Sequence, residues 1–134
     1  MNRYKSREQA FIFIFEKIFN NEPVEELIEL AREERIEDEV SEYAQRVFRG
    51  VYSNLDKIDD LINNNTNGWK FDRLAKPTLA ILRLAIYEIL FEDDIPINVA
   101  INEAIELSKK YCDTKDSSFI NGILGTISKS IEKN

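Results

Sequence analysis

The chain has 134 residues, a length that suits one domain with a single hydrophobic core. Hydrophobic residues make up 43% of it and only four glycines and three prolines interrupt them, which excludes a disordered chain and a turn-rich β fold. The formal net charge of −7 comes from residues 22–42, where ten acidic residues accompany two arginines; the remainder has a net charge of +1, so a nucleic-acid-binding surface is not excluded.

The first predicted element is a helix from about Ser6 to Phe19, with Ser6 as its N-cap. Its apolar residues recur at helical spacing, at Phe11, Ile14, Phe15 and Ile18. The run 10–15 also has the β-branched and aromatic content of a buried strand, but its flanks favour the helix. Phe13 is expected to lie off the apolar stripe.

Two further helices are predicted in the N-terminal half. One runs from Pro23 to about Ile36, and its glutamates should form a solvated face. The other begins at Asp38 and keeps a helical period for about six turns, as far as Ile62. The solvated face comprises Glu25, Glu26, Glu29, Glu33 and Glu34.

The asparagine-rich run 63–68 is typical of a turn and is the one internal boundary that the pattern indicates. We therefore predict a single domain over 1–134, with an N-terminal helical bundle over about 1–67 and a C-terminal one over about 68–134.

Four more helical segments follow this boundary. Residues 70–75 should make one or two turns, and 77–91 should form the central helix of the core, because it is apolar nearly all round. Pro96 opens a helix over 96–111, and Asp116 or Ser117 caps a last one that ends near Ile131. The fold class is all-α, with about seven helices.

Several kinds of catalytic site are excluded by composition. The chain has no histidine, so Ser-His-Asp and Cys-His nucleophilic sites and HExxH zinc sites are impossible. A lone Cys112, with no CxxC pair, predicts a half-buried structural thiol in a reducing compartment. The run 121–125 (NGILG) matches neither a P-loop nor a dinucleotide fingerprint and predicts close helix packing. We expect a binding protein without metal or cofactor, not an enzyme.

Membrane insertion is not expected, because no apolar stretch reaches the roughly 20 residues that span a bilayer. The first residues also lack the apolar core of a signal peptide, so a cytoplasmic protein is predicted.

Two glutamates lie within apolar helices, Glu88 and Glu103, and they are predicted to form structural ion pairs, with Arg83 or Arg73 as partners.

The C-terminal half carries a dense resemblance to a known family. The sequence WKFDRLAKPTLAILRLAIYEILFEDDIPINVAINEAIELSKKY (69–111), followed by SSFINGIL (117–124), resembles the NusB family of transcription antitermination factors. SREQAFIFIF (6–15) looks like that family's first helix. The resemblance rests most clearly on Trp69, Arg73, Leu82, Arg83, Tyr87, Glu88, Pro96, Asn102, Glu103, Lys109, Phe119, Asn121 and Gly122.

The resemblance implies a protein of two packed helical bundles that binds single-stranded boxA RNA as a heterodimer with the ribosomal protein NusE. That complex would join RNA polymerase with other Nus factors and promote processive transcription of ribosomal RNA operons. A homodimer is also compatible with the family and could cover the RNA surface.

The RNA contacts that the resemblance implies are Arg3, Lys5, Arg7, Phe15, Lys115 and Phe119. By itself, the basic cluster at the N-terminus is more typical of an ordinary charged terminus. Phe15 stands where relatives often have a tyrosine, so a ring remains for stacking but its hydroxyl is absent. Relatives commonly have a lysine where this chain has Ser118, and their N-terminus is usually more basic. We therefore expect weak RNA binding by the chain alone and dependence on NusE.

Two alternatives remain open at this point. The same helical fold occurs as the N-terminal domain of ribosomal RNA cytosine methyltransferases, but the sequence, ending at Asn134, contains no methyl-donor domain, so this reading requires a fragment. The other alternative is a protein-only interaction module that uses the acidic segment 22–42 to engage basic partners.

Overall fold

The computed structural model describes residues 2–34, 39–66, 68 and 70–131. In these residues the chain folds into seven α-helices and one short 3-10 helix with no strand, so the all-α prediction is confirmed. The helices are α1 (Arg3–Ile18), α2 (Val24–Glu34), α3 (Glu42–Ser53), α4 (Leu55–Asn64), α5 (Lys76–Phe91), α6 (Ile97–Tyr111) and α7 (Thr114–Lys129). The 3-10 helix, Phe71–Arg73, lies just before α5.

Helix α5 is the central helix of the core, as its composition predicted. It packs against α1, α3, α4, α6 and α7, and every residue from 78 to 89 is buried. Pro77 lies in its first turn, where the missing N–H costs no intrahelical hydrogen bond. A helix that is hydrophobic all round is stable only inside such a cluster, so α5 organises the positions of the other helices.

Helix α1 begins earlier than predicted. Its N-cap is Asn2, whose side-chain oxygen accepts a hydrogen bond from the backbone N–H of Lys5 at 2.8 Å. Ser6 is buried within the helix, so its assignment as N-cap was wrong. Phe13 was also predicted wrongly: it is buried and stacks on Phe48, with 4.9 Å between ring centroids. Because α1 packs against both α3 and α5, its buried face is wider than a single stripe.

The third predicted helix is two helices in the structure. The break falls at Asn54, whose side-chain amide donates to the carbonyl oxygen of Gly50 at 2.8 Å. Apolar periodicity continues across this bend, which is why the pattern did not reveal it. The predicted start of this helix was too early: Asp38 itself lies outside the described residues, but residues 39–41 are not helical and α3 begins at Glu42 with Ser41 as its N-cap.

The two predicted bundles pack directly against each other, mainly through α1 and α3 on α5, and their buried residues form one continuous cluster. The division of the chain near residue 67 stays a prediction, because Asn67 and Trp69 lie outside the described residues. The solvated face of α2 is confirmed, since all five of its predicted glutamates are exposed.

The two glycines of α7 are not sites of close helix packing. A methyl group built on Gly122 or Gly125 would meet no atom within 4 Å, so the packing predicted for residues 121–125 was wrong. Both glycines lie within α7, where glycine is less favourable than alanine. No neighbouring atom of the protein requires a residue without a side chain at either position.

Replacing Gly122 or Gly125 with alanine is expected to raise the free energy of unfolding by roughly 0.5–1 kcal/mol each, because alanine restricts the unfolded chain and meets open space in the helix. Urea denaturation of the single and double variants measures this effect. A loss of stability in either single variant would contradict the open space around its Cβ.

Candidate nucleic-acid interface

The first turn of α1 presents two exposed cations, Arg3 and Lys5. The guanidinium of Arg3 lies 4.8 Å from the ring centroid of Tyr43 on α3, and Arg46 lies 5.2 Å from the same ring. Cation–π contacts of this kind orient an arginine without neutralising it. The side chain of Arg3 is therefore held against the ring of Tyr43 and keeps its charge.

These cations lie at an electrostatically unfavourable end of the helix. The positive end of the macrodipole favours acidic residues, yet residues 3–6 include two cations and no acid. Residues that lower the stability of the protein, such as cations at the start of a helix, are common at functional sites, where a bound ligand compensates for their unfavourable energy. An anionic ligand is the natural compensating partner here.

Arg7 lies in a different environment from its two neighbours. It is only 3% exposed, and its Nε donates to both carboxylate oxygens of Glu88, at 2.8 and 3.1 Å. Its Nη1 lies 3.5 Å from Glu103. In this conformation the guanidinium cannot reach an RNA phosphate, so we remove Arg7 from the candidate contacts and assign it to the core.

Glu88 is the centre of a buried polar cluster. It also accepts a hydrogen bond from the hydroxyl of Tyr43, and only 1% of it is exposed. Burial raises the pKa of Glu88, while Arg7 and Tyr43 act in the opposite direction. Burial beside this carboxylate raises the pKa of Tyr43, so the phenol stays neutral.

The prediction of structural ion pairs for Glu88 and Glu103 is confirmed, but the partner was wrong. Arg83 instead binds Asp59 on α4, with 2.9 Å between Nη2 and Oδ2. Five residues along an α-helix correspond to a rotation of about 140°, so Arg83 and Glu88 point to different sides of α5. Arg73 is exposed and is not their partner either.

Aromatic side chains form a row along one side of α1. Phe11 contacts Tyr111 of α6 with 4.6 Å between centroids, stacks on Phe15 at 6.0 Å, and Phe15 meets Phe19 edge-on at 5.2 Å. Phe11 is buried, Phe15 is half-buried and Phe19 is 64% exposed. The predicted residue Phe15 is therefore the middle of a row that emerges from the core to the surface.

Lys115 and Phe119 lie together in a cleft between the starts of α5 and α7, which we term the α5–α7 cleft. The polar and aromatic residues that line it are Arg73, Thr78, Asp113, Lys115, Asp116 and Phe119. Lys115 is exposed, and Phe119 is half-buried and packs partly against the core.

The start of α7 is formed by a capping box, in which the carboxylates of Asp113 and Asp116 each accept from the other's backbone N–H. The predicted cap at Asp116 or Ser117 was therefore about three residues late. Because both carboxylates bind the helix terminus, they are held at fixed places on the wall of the cleft.

The six predicted contacts are thus only partly brought together. Lys115 and Phe119 share one cleft, whereas Phe15 is not among the residues that line it and contacts Phe11 and Phe19 instead. Thr78, which also lines the cleft, has its hydroxyl 3.8 Å from the sulfur of Cys112, the residue after Tyr111. Arg3 lies on the α3 side of α1, and Arg7 is buried.

Three residues of this region were missed as candidates: Arg73, Tyr111 and Tyr43. Arg73 was considered as an ion-pair partner and as part of the family resemblance, but not as a binding residue, although it is exposed and lines the same cleft as Phe119. Tyr111 follows two lysines at the end of α6, a basic and aromatic pairing that was visible in the sequence. Nothing in the residues next to Tyr43 indicated its importance, because its contact with Arg3 forms only when α1 and α3 pack together.

The described residues offer no metal or thiolate chemistry. No group of three or more Cys, Asp or Glu side chains in them is arranged to hold a metal ion. Burial raises the pKa of the Cys112 thiol, so it remains protonated near neutral pH. Within the same residues, no helix is both long and apolar enough to cross a bilayer.

Comparison with known proteins identifies relatives over nearly the whole chain. The model of the NusB family matches residues 4–129. The transcription antitermination protein NusB of Clostridium botulinum (strain Kyoto / Type A2) is 42% identical over 140 aligned positions, covering 93% of this chain and 98% of the relative. Because such relatives are antitermination proteins, the prediction of a binding protein rather than an enzyme is confirmed.

Two solved structures share the fold. NusB of T. maritima superposes with a TM-score of 0.85 at 39% identity, covering 96% of this chain and 92% of that one. A second NusB, solved with the antitermination factor NusE and double-stranded RNA, has a TM-score of 0.83 at 28% identity, covering 98% and 100%. Sequence and structure agree over the same residues, and the chain belongs to the NusB family.

Proposed function

We propose that this antitermination factor binds boxA-type single-stranded RNA together with NusE and thereby promotes processive transcription of ribosomal RNA operons. The observation that carries the proposal is the set of available cations. Arg3, Lys5, Arg73 and Lys115 are all exposed, and no described carboxylate lies within ion-pair distance of them. Their charges are free to pair with phosphates.

The partner assignment is supported by the relative solved with NusE and double-stranded RNA, which has the same fold. In the cell, the complex would join RNA polymerase and other Nus factors in the cytoplasm, where bacterial transcription takes place. A homodimer of this chain would be an alternative state that competes with NusE or RNA.

Binding of fluorescently labelled boxA RNA, measured by anisotropy with and without NusE, tests the proposal. With three or four phosphate contacts, the slope of log K against log salt should be about −2 to −3 for a single strand. Lys5→Ala and Lys115→Ala should each make the slope shallower by about 0.7, because each removes one contact. Lys129→Ala, at the other end of α7, is the matched control and should change nothing.

Scrambled RNA and a duplex of the same sequence complete this experiment. Equal affinity for boxA and scrambled RNA in the presence of NusE would overturn the sequence-specific part of the proposal. Tighter binding of the duplex would overturn the single-strand part and would agree with the RNA form in the solved relative.

The protein-only alternative is tested with the same components. Arg3→Ala/Lys5→Ala should lose RNA affinity but keep NusE affinity, because both residues are exposed at one helix end and contribute little to the core. Arg7→Ala is unsuitable for this purpose, because Arg7 is buried and its loss would disturb the fold. Unchanged RNA binding by the double variant would favour a module that contacts proteins alone.

A further inference from the structure

We infer that Tyr43 is a positioning residue for RNA binding, because its ring holds the guanidinium of Arg3 in place to meet an RNA phosphate. This role rests on the proposed RNA binding and adds a residue of α3 to the predicted contacts, which lie on α1 and α7. Tyr43 is half-buried, and it acts through Arg3 without binding RNA itself.

The contact between Arg3 and Tyr43 joins the first turn of α1 to the first turn of α3. The guanidinium carbon of Arg3 lies 4.8 Å from the ring centroid, within the roughly 6 Å over which a ring attracts a cation. A long arginine side chain loses rotamer freedom when it binds a ligand. Because the ring already restricts Arg3 in the free protein, less freedom remains to be lost when a phosphate binds.

The ring of Tyr43 is itself fixed at both ends. Its backbone belongs to α3 and its ring packs against the core, while its hydroxyl donates to the carboxylate of Glu88 on α5. Glu88 is buried and is held in turn by two hydrogen bonds from Arg7, at 2.8 and 3.1 Å. A side chain that is held in this way keeps one orientation, so it can orient the arginine that lies on it.

A second arginine, Arg46, contacts the same ring at 5.2 Å, but its charge is already paired within the protein. Its guanidinium donates two hydrogen bonds to the carboxylate of Glu92, at 2.8 and 3.2 Å. Arg3, by contrast, has no described carboxylate within ion-pair distance. Of the two arginines on the ring, Arg3 is therefore the one whose charge can pair with a phosphate.

A double-mutant cycle between Tyr43→Leu and Arg3→Ala tests this role. The affinity of the full chain for labelled boxA RNA is measured with NusE present, for the wild type, both single variants and the double variant. Tyr43→Leu should weaken binding roughly 2- to 10-fold, which corresponds to the cost of immobilising one side chain. In the Arg3→Ala background the same substitution should have no further effect, because the side chain that the ring positions is absent.

Lys5→Ala provides the matched background. Lys5 is an exposed cation in the same turn of α1, but it lies on none of the described aromatic rings. Tyr43→Leu should therefore keep its full effect on RNA affinity in that background. A general disturbance of the fold would instead weaken binding equally in the Lys5→Ala and Arg3→Ala backgrounds.

Tyr43→Phe separates the ring from its hydroxyl. It should lower the temperature of unfolding, because Glu88 loses a buried hydrogen bond. It should nevertheless recover most of the RNA affinity that Tyr43→Leu loses, because the ring remains beside Arg3. Thermal unfolding is measured for every variant, and the RNA titrations are carried out at a temperature at which all of them are folded.

The wild-type protein supplies a readout that does not require Tyr43→Leu to fold. The ring current of Tyr43 should shift the NMR signals of the Arg3 side chain, and Arg3→Ala identifies these signals by their loss. Tyr43→Phe should keep the shift. Arg3 signals at the positions of an unstructured arginine would overturn the role of the ring.

Three results of the affinity measurements would also overturn this role. They are an unchanged RNA affinity of Tyr43→Leu, an equal loss from this substitution in the Arg3→Ala background, and a Tyr43→Phe variant that binds as weakly as Tyr43→Leu. Each of them leaves the proposed function intact if the wild type still binds boxA RNA in a salt-dependent manner. Absence of any RNA binding by the wild type with NusE present would instead defeat the proposed function, and the role of Tyr43 with it.

Discussion

Arg7→Ala is expected to lower the free energy of unfolding by about 3–5 kcal/mol, because it leaves the buried carboxylate of Glu88 without its cation. Domains of this size are stable by only about 5–15 kcal/mol, so the variant should be marginally folded. Any loss of RNA binding should then follow the loss of folded protein. Urea denaturation and RNA titration of the same samples measure the two effects together.

Two companion variants show whether the unpaired charge is the cause. Arg7→Met/Glu88→Gln removes both charges and keeps an acceptor for Tyr43, so it should recover part of the lost stability. Arg49→Ala is the control, since its ion pair with Glu25 is exposed and should contribute little. If Arg7→Ala unfolds like the wild type but binds RNA less tightly, Arg7 contacts RNA and its assignment to the core is wrong.

The stability deficit of Arg7→Ala should also depend on pH. Burial raises the pKa of Glu88 above its ordinary value of 4.5, and removal of Arg7 takes away an opposing effect. A carboxyl whose folded pKa is raised stabilises the fold fully below its unfolded pKa, and this contribution is lost as pH rises through the folded pKa. The deficit should therefore be smaller near pH 4.5 than at pH 7, and a deficit that grows with acidity would contradict this sign.

Gly50→Ala is expected to lower the free energy of unfolding by about 1–3 kcal/mol, through overpacking against Tyr87. A Cβ at this position would lie 2.2 Å from Cε1 and 2.6 Å from the oxygen of that ring. Tyr87 cannot easily move, because it is buried, contacts Phe91 and donates its hydroxyl to Glu92 at 3.3 Å. Thermal or urea unfolding measures the effect.

The same substitution elsewhere provides a matched control for Gly50→Ala. Gly122→Ala gains the same helix propensity in open space and should change stability in the opposite direction. A double-mutant cycle with Tyr87→Leu should show favourable coupling to Gly50→Ala, because the smaller side chain makes room for the methyl group. Additive effects in that cycle would contradict the steric explanation.

The local sequence was sufficient for features that depend on neighbouring residues. The solvated face of α2 and the central position of α5 both followed from where apolar side chains recur, because burial of an apolar stripe is what stabilises a helix in a folded protein. The break at Asn54 was missed because the stripe continues across it. The same pattern is compatible with one long helix or with two shorter helices that meet at a bend.

The candidate site was only partly predictable. Lys115 and Phe119 are four residues apart on one helix, so their proximity followed from helical geometry. The burial of Arg7 did not, because its partner Glu88 is 81 residues away in the chain. Likewise, nothing near Arg73 in sequence indicated that the start of α7 would lie beside it.

By itself, the sequence determined the helical pattern, the acidic helix and the basic start of α1, which are properties of residues within a few helical turns. It also determined the membership of the NusB family, which rests on residues along nearly the whole chain. Only the tertiary structure decided which of the three N-terminal cations remain available to RNA. Arg3 and Lys5 stay at the surface, whereas the packing of α1 on α5 and α6 buries Arg7 between two carboxylates. A charge becomes a binding group or a core group according to what packs over it, and that depends on contacts between distant parts of the chain.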